Sequence, residues 1–68
     1  MKLSARNVFA GKVLDIEVES ITSKVRVDIG GGNVVTSTIT ADAVADLGIV
    51  VGDEVSVIIK SSSVMLGK

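Results

Sequence analysis

Lys24-Val25-Arg26-Val27-Asp28-Ile29, then Gly30-Gly31-Gly32-Asn33, then Val34 through Ile39, is the run that decides the fold. Its first part alternates apolar and charged residues with a period of two, which puts Val25, Val27 and Ile29 on one face of an extended strand and Lys24, Arg26 and Asp28 on the other. The three glycines supply the positive-φ freedom that a tight reversal needs, so the chain is expected to return antiparallel through Val34 to Ile39. Consecutive glycines also resemble a phosphate-binding loop. No Lys-Ser or Lys-Thr pair follows them and no helix pattern begins there, so the hairpin is the better reading.

The same logic extends in both directions. Upstream, Leu14, Ile16 and Val18 alternate with Asp15, Glu17 and Glu19, a strand with one wet face. Downstream, Thr40 is placed to cap a short helix from Ala41 to Leu47, with Asp42 in its first turn and Gly48 to stop it. Val51-Gly52-Asp53 reads as a turn. Val55, Val57 and Ile59 then alternate with Glu54, Ser56 and Ile58, and the apolar Ile58 implies cover on both faces of this strand. Val64 to Leu66 is expected to add a short terminal strand. The resulting order is three strands, a short helix and two strands. It predicts an all-β chain, a small, partly open OB-like barrel with one short helix plugging an end. No linker, repeat or low-complexity tract divides residues 1–68, which read as a single domain.

Composition limits how such a barrel is stabilised. A chain of 68 residues buries only about 60% of its unfolded surface and is marginal without help. It has no cysteine and no histidine, which excludes disulfides and the common kinds of zinc site. Hydrophobic residues make up 47% of the chain, yet Phe9 is the single aromatic, so the core must come from small aliphatic side chains. Those apolar faces are too numerous for so small an interior, which favours a self-associating protomer over a free monomer. The net charge of -1, from seven basic and eight acidic residues, provides no field for a nucleic-acid backbone. There is no signal-like amino-terminal run and no stretch long enough to span a bilayer, so a cytoplasmic protein without a membrane partner is expected.

Two clusters carry what chemistry there is: Ser4-Ala5-Arg6-Asn7 and Lys60-Ser61-Ser62-Ser63. Each joins a cation to hydroxyl or amide donors, which suits a small ionised oxyanion. Ala5 would let a ligand approach the backbone, where a turn can gather N–H groups into an anion-binding nest. Taken singly, the first cluster is more often an exposed start of a strand and the second a solvated turn. Their shared character raises the functional reading, and together they offer enough donors for a dianion. A hydrogen bond to a charged group contributes roughly 1.5–3 kcal/mol, so four or five could hold a dianion at micromolar concentration. A site between subunits would exclude water and strengthen each contact. A fully deprotonated tetrahedral anion only accepts hydrogen bonds, whereas hydrogen phosphate brings a proton that a donor-only site leaves unpaired. Sulfate would have to be rejected by size.

At this point the chain resembles the molbindin, or Mop, family of molybdenum-binding proteins, in its single-domain form. The matching pieces are Ser4-Ala5-Arg6-Asn7, Gly11 in the Gly11-Lys12-Val13 run that starts the first strand, Gly30-Gly31-Gly32-Asn33, Thr36-Ser37-Thr38-Ile39-Thr40, Asp46-Leu47-Gly48 at the helix end and Val57 to Ser61. They cover nearly the whole chain. The resemblance implies an OB-like domain whose strands are exchanged between subunits, assembled as a homohexamer of three dimers. It also implies molybdate or tungstate held at subunit interfaces for intracellular molybdenum storage and homeostasis. Carried over by matching residues, the oxyanion contacts are Ser4, the Ala5 backbone, Arg6 and Asn7, with Lys60 and Ser61 from a neighbour. Thr40 matches a threonine that contributes in related regulators, in competition with its role as helix cap. A second site near the three-fold axes is part of the family pattern; no motif places it, and Ser20 and Thr22 are hydroxyls in a plausible turn. The protein ligates no metal directly in this reading. The pterin of the family's early description would want an aromatic stacking surface, for which Phe9 alone is poor, so no organic cofactor is expected.

Other functions fit less well. Asp15, Glu17 and Glu19 lie along one wet strand face, and without histidine or cysteine no enzyme is expected. A nucleic-acid-binding OB module would need a positive groove and aromatic platforms that this composition lacks. A purely structural oligomerisation or regulatory domain would share the fold and even the anion site, but is normally fused to another domain.

Overall fold

The computed structural model describes residues 2–68. Four strands form one antiparallel sheet in the order β3-β2-β1-β4: β1 is Asn7–Glu19, β2 Thr22–Gly30, β3 Asn33–Thr40 and β4 Glu54–Ile59. A single helix, α1 (Ala41–Leu47), connects β3 to β4. The sheet curls into a half-barrel, OB-like but not closed, with β3 and β4 as its unjoined edges.

The hairpin of β2 and β3 forms as expected, with Val27 opposite Val35 and Val25 opposite Ser37. Gly30, Gly31 and Gly32 all adopt positive φ at the reversal, and Asp28 Oδ1 fastens it by accepting from Gly30 N at 2.8 Å. The helix also follows the expected bounds. Thr40 Oγ1 accepts from Ala43 N at 3.0 Å, and Gly48 ends the helix in the left-handed region with its N–H on the Ala45 and Val44 carbonyls.

Strand β1 departs from the sequence reading. It is 13 residues long and begins at Asn7, well before Leu14. Its first half pairs with β4 and its second half with β2, and the register with β2 shifts between Val13 and Asp15. The bulge leaves Leu14 exposed and turns Val13 inward to 1% exposure, so Leu14 does not share the buried phase of Ile16. Across the β1–β2 ladder, Arg26 bridges its partner Asp15 at 2.6 Å and Glu17 at 3.6 Å. The hydrogen bond and charge of Asp15, with help from Glu17, hold the Arg26 guanidinium above its ordinary pKa.

The expected strand at Val64–Leu66 does not form. A 3-10 turn at Ser61–Ser63 follows β4, and beyond it Met65 and Leu66 are 93% and 96% exposed. A strand needs a ladder to pair with, and the segment after this turn joins neither unjoined edge of the sheet. Ile58 is likewise exposed, so the cover expected on both faces of β4 is not provided within the chain. The fully buried apolar core among the described residues is Val13, Val25 and Val27, with Ser23 as the one buried polar residue. No helix is long and apolar enough to cross a membrane among the described residues.

Candidate functional site

The two polar clusters meet at one end of the sheet. Asn7, the first residue of β1, opposes Ile59, the last of β4, and Phe9 opposes Val57 two rungs further in. The Asn7 carboxamide nitrogen donates to the Ile59 carbonyl at 3.1 Å. Ser4-Ala5-Arg6 therefore leads into the same rung that Lys60-Ser61 leaves. Arg6 and Lys60 each stand one residue beyond the pair, exposed and without an ion-pair partner among the described residues. Lys24 and Arg26, by contrast, are occupied by Glu19, Asp15 and Glu17. Following Lys60, the turn at Ser61–Ser63 is closed by Ser63 N on the Lys60 carbonyl at 2.8 Å.

This end collects Ser4, Ala5, Arg6, Asn7, Lys60 and Ser61, all exposed except the half-buried Ala5 and Asn7. Two unpaired cations and several donors at one open strand end can attract a small anion. They cannot by themselves enclose it.

Thr40, Ser20 and Thr22 lie elsewhere. Thr40 pairs with Thr22, which pairs in turn with Glu19, the last residue of β1. Ser20 sits in the adjoining turn with φ of 43°, a left-handed conformation, and Thr22 Oγ1 reaches the Glu19 carbonyl at 3.4 Å. The candidate residues thus divide between opposite ends of a 13-residue strand. Within one chain Thr40 joins the Ser20–Thr22 hydroxyls and not the Arg6–Lys60 cations.

Two features were missed in the sequence. One is the Ile59 carbonyl, which no side-chain chemistry advertises. The other is an apolar groove of about 570 Å³ between β3 and β4, lined by Ile39, Leu47, Ile49, Val55, Val57 and Ile58 among others. The exposed Ile58 was its one signal. A shallower cleft of about 410 Å³ lies where Lys12 of β1 runs between Asp28 and Glu54, its partners on the two flanking strands. No group of three or more histidine, cysteine, aspartate or glutamate side chains suited to a metal ion occurs among the described residues.

Comparison with known proteins bears on these features. The family model described as the TOBE domain matches residues 3–66. A probable molybdenum-pterin-binding protein of Haemophilus influenzae is 52% identical over 67 residues, covering 98% of this chain and 97% of the relative. Among solved structures, a molybdate binding protein from Sporomusa ovata superposes with a TM-score of 0.93 at 34% identity, with both chains covered in full. The cytoplasmic molybdate-binding protein ModG, in a molybdate-bound form, gives 0.93 at 42% identity; the match spans 98% of this chain and 48% of ModG.

Proposed function

We propose, from the premise that the chain belongs to the molbindin (Mop) family of TOBE domains, that it binds molybdate or tungstate for storage and homeostasis of the oxyanion in the cytoplasm. It is a binding protein and not an enzyme, as its relatives are. The observation that carries the proposal is the pairing of Asn7 with Ile59, which brings the segments holding Arg6 and Lys60 to one end of the sheet, with no ion-pair partner for either cation among the described residues. Ser4, the Ala5 backbone, Arg6, Lys60 and Ser61 supply the donors, each in a charge-assisted hydrogen bond to an anion that brings no proton of its own, and Asn7, with one N–H already on the Ile59 carbonyl, borders the anion.

A second copy of the chain completes the site. The donors of one chain are exposed, so a dry cavity needs a neighbour to cover it and to bring further donors, Lys60 and Ser61 in the first place. Thr40, the last residue of β3 and across Thr22 from the far end of β1, reaches an anion held by Arg6 only from another subunit. The same copy answers the unfinished barrel. The groove between β3 and β4 has the place and apolar lining for a fifth strand, and Val64-Met65-Leu66 is an apolar strand-length segment left in solvent. Exchange of this segment between subunits closes both barrels of a dimer, and three dimers make the homohexamer. Ser20 and Thr22 are proposed for a second anion site.

Calorimetry with molybdate, tungstate, sulfate and phosphate tests the reading. Molybdate and tungstate are expected to bind at micromolar concentration or tighter, with sulfate and hydrogen phosphate at least a hundredfold weaker. Arg6→Ala and Lys60→Ala should each weaken molybdate by about 10- to 150-fold, the equivalent of one charged hydrogen bond of roughly 1.5–3 kcal/mol. Equal, weak heats for all four anions would remove the proposal.

A further inference from the structure

We infer that Asn7 is a positioning residue for this site, its carboxamide fastening the Ser4–Arg6 arm to the end of β4 so that Arg6 stands beside Lys60 before an anion arrives. The inference rests on the oxyanion reading and gives Asn7 a role that the reading alone does not. Asn7 is half-buried at the first rung of β1, and its Nδ2 donates to the Ile59 carbonyl at 3.1 Å. A carbonyl only accepts, so the amide nitrogen and not the oxygen must face it. Among the described residues this is the only side-chain hydrogen bond between β1 and β4.

The contact joins positions 52 apart in sequence at the point where the ladder runs out. Beyond it, residues 4–6 have no strand partner and Arg6 no ion pair among the described residues. Arg6 and Lys60 carry like charge, and their repulsion favours splaying the arm into solvent. Without a fastening, the anion would have to order the arm as it binds, and that cost would come out of its affinity. With it, the donor pair is set beforehand. An asparagine that commits one N–H to the main chain also has at most its second N–H to offer a ligand.

Amide hydrogen exchange, resolved by residue in the full chain without anion, tests this alongside molybdate calorimetry. Asn7→Ala and Asn7→Asp, which lack the donor, should raise exchange about tenfold at Asn7, Val8, Ile58 and Ile59, the last rungs of the β1–β4 ladder, and leave the β2–β3 hairpin within about twofold. Molybdate should weaken about 2- to 13-fold in Asn7→Ala, matching the loss of one neutral hydrogen bond, and further in Asn7→Asp, whose carboxylate repels the dianion. Asn7→Gln keeps the donor and should recover both properties in part. If Asn7→Ala does not fold, Asn7→Gln against Asn7→Asp decides by the same readout. Unchanged exchange with weakened binding would make Asn7 a direct ligand and overturn the inference, as would a uniform rise across all strands. Local deprotection in a protein whose wild type binds no molybdate would leave the fastening intact and sink the oxyanion reading alone.

Discussion

Gly11 of β1 pairs with Val55 of β4, and its missing side chain makes room for Val27, Asp28 and Ile29 of β2. A Cβ there would overlap Val27 Cγ1 and stand 3.0 Å from the Asp28 carbonyl oxygen. Val27 is one of the three fully buried apolar residues and the carbonyl belongs to the sheet backbone, so neither neighbour can give way cheaply. Gly11→Ala is therefore expected to lower stability by about 1–3 kcal/mol through overpacking, read as a shift of the urea midpoint at unchanged slope. A change under about 0.5 kcal/mol would mean that the sheet opens there more easily than its packing suggests. The sequence flagged this glycine only through the family resemblance, because close approach between strands leaves no local pattern. Arg6 and Lys60 were legible for the opposite reason: a cation beside hydroxyls and amides is visible as chemistry wherever it falls. What the sequence could not supply was their adjacency, which depends on a rung 52 positions apart and on a main-chain carbonyl.

At the scale of elements, what was legible is what local rules determine. The β2–β3 hairpin follows from strict alternation broken by three glycines, and α1 from a capping threonine and a terminal glycine. The first half of β1 escaped because Val8, Phe9 and Ala10 run without alternation, and only pairing with β4 makes them a strand. The bulge at Leu14 then shifted the phase from which the strand had been read. Thr40 shows how an element can serve a site without conflict. Its Oγ1 accepts from Ala43 N, and its hydroxyl hydrogen remains available to an anion, so cap and ligand are compatible roles. Thr40→Ala should cost about 1 kcal/mol of stability, whereas Thr40→Asp, a good cap, should cost little. Alanine removes the hydroxyl donor and aspartate replaces it with an acceptor-only carboxylate, so both should weaken molybdate if Thr40 reaches the anion from a neighbour. Full affinity in the stable Asp variant would confine Thr40 to capping.

The whole molecule exposes 5260 Å², whereas a folded monomer of 7.0 kDa would ordinarily expose about 4,000 Å². The excess of about 1,200 Å² exceeds the roughly 800 Å² that one partner contributes to a standard interface, and fits contact with more than one neighbour. The open groove and the exposed Val64–Leu66 segment account for part of it. This is the surface of an associating protomer. Association raises a question that the single chain poses sharply, since its own Arg6 and its own Lys60 both adjoin the Asn7–Ile59 rung. Mixing two variants answers it. Arg6→Ala and Lys60→Ala subunits, each defective alone, should regain a fraction of full-affinity molybdate sites when unfolded and refolded together, because an interface between unlike subunits can join an intact Arg6 to an intact Lys60. Random mixing at equal amounts would restore about a quarter of the sites when each site draws one residue from each of two chains, the product of two even chances. If Arg6 and Lys60 act from the same chain, every site lacks one of them and the mixture binds no better than its parts. Calorimetric stoichiometry at low molybdate separates the two outcomes, and the second would place the complete cation pair within one protomer and leave the neighbour only the task of excluding water.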